Sequence, residues 1–107
     1  MSADPLRDQL ALPQPWRPDP GDVLVGVVVE LGERPSKYGG SYPTVTVATE
    51  SGQVVVVHAM RKVLRDELEH EGPVPGERIG FQYHGVAEEG YHRYKCRVDR
   101  PRHGRAG

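Results

Sequence analysis

Apolar and polar positions alternate in five stretches of this chain, and the period changes once, between the third and the fourth. Val23, Val25, Val27, Val29 and Leu31 alternate with Leu24, Gly26, Val28 and Glu30. That is the pattern of a β-branched strand whose central Gly26 invites a bulge or a sharp bend. Gly32 to Ser41 carries Pro35, Gly39 and Gly40 and reads as a loop, after which Tyr42 to Thr49 sets Val45 and Val47 against Thr44 and Thr46 as a second strand. Glu50-Ser51-Gly52 is a hairpin signal. Gln53 to Ala59 holds four consecutive valines, too short and too β-branched a run for a helix, and is the third strand. From Met60 to Glu71 the apolar residues Met60, Val63, Leu64 and Leu68 fall on one side of a repeat of about 3.6 residues, opposite Arg61, Arg65, Asp66 and Glu69, which predicts a helix. Gly72, Pro73, Pro75 and Gly76 stop it. Ile79, Phe81 and Tyr83 then alternate with Gly80, Gln82 and His84 in a fourth strand. After the turn Glu88-Glu89-Gly90, Tyr94, Cys96 and Val98 alternate with Arg93, Lys95 and Arg97 until Pro101 ends a fifth strand, apolar inside and cationic outside.

The order β-β-β-α-β-β in so short a chain predicts an all-β class with one helix. A small five-stranded sheet buries its apolar face by curling on itself with the helix plugging one end, so a closed five-stranded Greek-key barrel is expected over residues 21–100. Pro5, Pro13, Pro15, Pro18 and Pro20 make residues 1–20 an extended arm, through which neither a helix nor a central strand can run. Its Trp16 either docks on the barrel or leaves the arm free. Residues 101–107 form a basic tail.

The element order, Gly26 inside the first strand, the helix between strands three and four and the Pro75-Gly76-Glu77 approach to strand four resemble the OB-fold. Tyr42-Pro43-Thr44-Val45-Thr46-Val47, followed by His58 and Val63-Leu64-Arg65, is similar to small OB-fold proteins of actinobacteria and their phages, a group with no assigned activity. The resemblance implies oligonucleotide binding on the face of strands two and three and in the flanking loops, and puts strands three and five side by side.

At 107 residues the chain has the length of one domain. No apolar run approaches the ~20 residues that cross a bilayer, and Met1 to Asp8 lack the order of a signal peptide, so a cytoplasmic protein with no membrane partner is expected. The single cysteine, Cys96, excludes an internal disulfide framework. The formal charge of −1 is uneven: six basic residues against Asp99 give residues 91–107 a net +5, leaving −6 for the rest. A cationic surface for an anionic partner is one consequence, a solubilising end the other.

Binding a single-stranded nucleic acid needs cations that follow the phosphates and flat rings that receive bases. Arg34, Lys37, Tyr38 and Tyr42 in and beside the first loop, Thr44 and Thr46 on strand two, and Tyr91, His92, Arg93, Lys95 and Arg97 at the last turn and strand supply both. Single-stranded DNA or RNA is therefore the expected partner. The opposing readings are loop anchoring for Tyr38, Tyr42 and Tyr91, and pairing of Arg93, Lys95 and Arg97 with Glu77, Glu88 or Glu30. Tyr83 and Tyr94 share a face with Phe81 and Cys96 and belong to the core. Five histidines (His58, His70, His84, His92, His103) lack the spacing of a metal site, so no metal or other cofactor is expected, and His58 is read as bonded to a loop carbonyl. Asp66, Glu67, Glu69 and Glu71 are read as facing water, no serine sits in an elbow motif, and a core thiol is inert, so no enzyme is expected. A protein-interaction or homo-oligomeric assembly module is the alternative, using strand edges or the valine-rich third strand with the arm as a strap.

Overall fold

The computed structural model describes residues 13–100. Six strands and one helix follow in the order β1 (Gln14–Pro15), β2 (Val23–Pro35), β3 (Ser41–Thr49), β4 (Val54–His58), α1 (Lys62–Glu71), β5 (Arg78–Val86) and β6 (His92–Asp99). The five long strands and the helix stand where the sequence pattern predicts them, except that β2 runs on through Gly32–Pro35, read from the sequence as loop, because these residues pair with Ser41–Thr44 of β3. Among the described residues the fold is β-rich with one helix. It is not a closed five-stranded barrel: one sheet runs β1-β4-β3-β2-β5-β6, with β1 and β6 as its two edges.

Two features stand where closure was expected. The proline-rich arm lays Gln14 and Pro15 parallel to Val55 and Val56, so β1 occupies the free side of β4 that β6 would have used. On the other edge, two carboxylates of α1 take the amides of β6: Glu67 Oε1 accepts from Cys96 N (2.9 Å), and Glu71 Oε1 accepts from Val98 N (2.8 Å). Glu67 and Glu71 therefore do not simply face water. They sit one helical turn apart and meet alternate amides of the strand, because side chains at i and i+4 share a helix face. Strands β4 and β6 are not neighbours in the sheet.

β2 carries the sheet from one half to the other. It pairs with β5 through Val23–Val27 and with β3 through Gly26–Pro35, so Gly26 has a strand on both sides. A Cβ at Gly26 would lie 2.3 Å from the Ala48 carbonyl oxygen and 2.6 Å from a Val47 methyl. Only glycine permits that approach. Three residues on, the register shifts between Val28 and Glu30, which leaves Val29 as a bulge and bends the strand.

The inward face of β2 is Leu24, Gly26 and Val28, while Val23, Val25, Val27, Val29 and Leu31 remain exposed. The core gathers Leu24, Val28, Val45, Val47, Val57, Ala59, Leu64, Leu68, Ile79, Phe81 and Cys96. Trp16 docks against it, its ring 5.8 Å from Phe81 and 6.3 Å from Tyr94, while its amide donates to Val56 O (2.9 Å). The arm thus fills the gap between β4 and β6 with an indole rather than a ladder. Gly72 ends α1 in the left-handed conformation and donates to Leu68 O. Arg100 closes the same end, bonding the Glu71 and Gly72 carbonyls and the Glu77 carboxylate (2.7 Å). Among the described residues no helix is long and apolar enough to cross a membrane.

Candidate functional site

The β2–β3 connection is short and fixed by its own hydrogen bonds. Ser36 N donates to Gly40 O (2.9 Å), Gly39 N to Ser36 O (3.1 Å), and Tyr38 N to the Ser36 hydroxyl (3.1 Å). Gly39 and Gly40 have φ of 101° and 68°, a turn that a side chain would strain. The result holds Tyr38 at the tip with 87% of its surface in solvent. Lys37 Nζ stands 5.5 Å from the centre of that ring.

Where the loop joins the sheet, Arg34 pairs across the ladder with Tyr42. The Tyr42 hydroxyl shares a hydrogen bond with His58 Nδ1 (3.1 Å), the two rings 5.8 Å apart. His58 therefore bonds a tyrosine rather than a loop carbonyl. Burial, then Arg34, then Arg17 hold the His58 pKa below the ordinary histidine value, so both guanidinium groups are close enough to act on the ring. Arg17 arrives from the arm, directly after the docked Trp16. Arg17, Arg34, Lys37, Tyr38, Tyr42 and His58 thus share one end of the sheet. Glu33, at the loop's base, accepts a bond from the Ser41 hydroxyl (3.3 Å). Among the described residues no carboxylate lies within ion-pair distance of Arg17, Arg34 or Lys37.

The remaining residues of the expected site stand elsewhere. Thr44 is buried, 6% exposed, and lines a cavity of about 480 Å³ between β3 and α1 together with Leu31, Arg65 and Leu68; Thr46 is half-buried opposite Val56. The turn carrying Tyr91 follows Val86, beyond the Val23 end of β2, whereas the Tyr38 loop follows Pro35 at its other end. The two loops hang from opposite ends of one strand. His92 is occupied with the core tyrosine Tyr83, its Nδ1 2.7 Å from the hydroxyl and the rings stacked at 5.8 Å. Arg93, Lys95 and Arg97 do point outward, on β6. Arg97 is engaged by Glu67 (3.3 Å) and the Cys96 carbonyl, not by Glu77, Glu88 or Glu30. Arg93 and Lys95 have no ion pair among the described residues.

Sequence reasoning missed Arg17 and His58 as members of the corner. Both flank strongly patterned segments, Arg17 after Trp16 and His58 after the valine run, and only the tertiary approach of β1 to β4 unites them. Cys96 is buried, and burial with the nearby Glu71 and Glu67 pushes its thiol to about 12. A thiol at that value carries almost no thiolate. Among the described residues no group of three or more His, Cys, Asp or Glu stands where it could hold a metal ion. His103, Arg102 and Arg105 lie outside the described residues. No protein-family model, curated protein or solved structure matches the chain.

Proposed function

We propose that the chain is a non-enzymatic module that binds single-stranded nucleic acid with little base preference, at the β2–β3 end of the sheet. The observation that carries this reading is Tyr38: a large aromatic ring held in solvent on a stiff two-glycine turn, with a lysine beside it and two arginines behind. Burial gives such a ring nothing in the free protein, and a stacked base contributes ~1–3 kcal/mol. Tyr42 and His58 offer further rings, and Arg17, Arg34 and Lys37 supply the charge that follows a phosphate backbone. The order of β2 to β6 with the helix between β4 and β5 agrees with OB-fold connectivity, in which this face and loop bind oligonucleotides. We read the molecule as an opened form of that barrel, its seam filled by Trp16.

Fluorescence anisotropy of a labelled oligothymidylate tests the proposal. Tyr38→Ala weakens affinity about tenfold, as loss of one stacked base requires. Arg34→Glu with Lys37→Glu abolishes binding at moderate salt, whereas Lys95→Glu changes it less than about twofold. Three phosphate contacts give a slope of log affinity on log salt near −2. Binding of a polyanion beside His58 favours its charged form and opposes the lowering of its pKa, so affinity rises as pH falls. Affinity indifferent to both the ring and the two charges overturns the reading.

A further inference from the structure

The outer face of β2, β5 and β6 carries a second surface that the nucleic-acid reading does not use. Across the sheet, Val25 faces Gly80 and Gly80 faces Arg97, while one step along the strands Val23 faces Gln82 and Gln82 faces Lys95. Val23 and Val25 are 60% and 39% exposed, an aliphatic row on one side. Arg93, Lys95 and Arg97 form the opposite row, two strand spacings or roughly 10 Å away. Between them the floor drops at Gly80. Two depressions of about 230 and 190 Å³ flank it; the first reaches Val25, Arg78, Arg97 and Asp99, the second Val23, Gln82, Lys95 and Arg97.

Gly80 is not forced by the fold. A Cβ there would meet nothing closer than a Val25 methyl at 3.7 Å, an ordinary contact, and its φ is not positive. A glycine inside a strand weakens it, and where packing does not demand one it marks a close approach by something else. The two depressions lie one two-residue step apart along the strands, about 7 Å, which is the distance between side chains i and i+2 of an extended chain. Each has room for one aliphatic side chain. At the Lys95 end, Lys95 and Arg93 have no ion pair among the described residues. Arg97 is shared with Glu67, and the acidic Asp99 and the Glu50–Arg78 pair sit at the far end.

We propose that this face docks an extended peptide segment of a protein partner, with two apolar side chains two residues apart seated on either side of Gly80 and aspartates or glutamates beyond them toward Lys95 and Arg93. At the edges, β1 lies along β4 and the α1 carboxylates take two of the β6 amides, those of Cys96 and Val98. The surface lies at the Val23 end of β2, away from Tyr38.

Fluorescence polarisation on the full chain tests it, with a labelled synthetic peptide carrying a Leu-x-Ile pair followed by four aspartates. The peptide binds with a Kd on the order of 10 µM. Gly80→Leu fills the floor and weakens it at least tenfold while thermal unfolding shows the variant folded; Lys95→Glu weakens it several-fold, and Tyr38→Ala leaves it unchanged. A peptide with lysines in place of the aspartates does not bind. Unchanged affinity in folded Gly80→Leu, equal binding of the lysine peptide, or no binding at low salt overturns the proposal. So does either of two other results: oligothymidylate binding that Gly80→Leu abolishes, which assigns the face to nucleic acid, or sedimentation showing a dimer that Gly80→Leu dissociates, which assigns it to a second copy.

Discussion

Gly26 and Gly80 are both glycines inside strands, and they differ in what surrounds them. At Gly26 a methyl would collide with the backbone of Ala48, so Gly26→Ala forces β2 and β3 apart. It costs about 3 kcal/mol in denaturant unfolding, in the range of strongly destabilising substitutions. Gly80→Ala finds free space and changes stability by less than about 1 kcal/mol, toward greater stability. Glu77 gives the residue scale its pH dependence. The Arg100 side chain, then the Val74 amide, hold its carboxyl down to about 2 from an ordinary 4.5. A depressed carboxylate stabilises the fold above its unfolded value and loses that contribution as pH falls toward its folded one. Stability therefore declines between about pH 4.5 and 2, and Glu77→Gln flattens that part of the curve in urea titrations at successive pH values.

Among the elements, β6 shows how an edge is managed without a neighbouring strand. Its Cys96 and Val98 amides point at carboxylates, and charge-assisted bonds of this kind contribute ~1.5–3 kcal/mol each. Glu67→Ala is expected to cost about 2 kcal/mol. Glu67→Ala with Glu71→Ala uncovers the edge, so light scattering rises with concentration where the parent stays constant; scattering unchanged in the double variant contradicts this role. The helix and every long strand were legible in the sequence because each had its own period and its own glycine or proline punctuation. The partner of each edge was not. A helical pattern marks Glu67 and Glu71 as polar but does not say whether water or a strand amide meets them. Gln14-Pro15 gives no strand signal at all, since two residues have no period. In β2 both alternating sets are apolar, so the pattern could not say that Leu24 and Val28 point in and the valines out.

Over the described residues as a whole, the result is an open sheet with Trp16 packed between β4 and β6 and its two exposed chemistries at opposite ends of β2. Turn composition alone made Arg34, Lys37, Tyr38 and Tyr42 readable as a group, because they are close in sequence. Joining them to Tyr91, Arg93 and Lys95 required a closed barrel, and the arm and the helix carboxylates prevent that closure. Arg17 and His58 entered instead, brought to Arg34 by the pairing of β1 with β4. The measurement that bears most directly on the proposed activity is an amide chemical-shift titration of the isotope-labelled protein with oligothymidylate. Shifts confined to residues 16–17, 34–44 and 56–59 are expected, growing saturably and collapsing in Tyr38→Ala. Shifts centred on β5 and β6, or none at millimolar oligonucleotide in low salt, would contradict binding at the tyrosine loop.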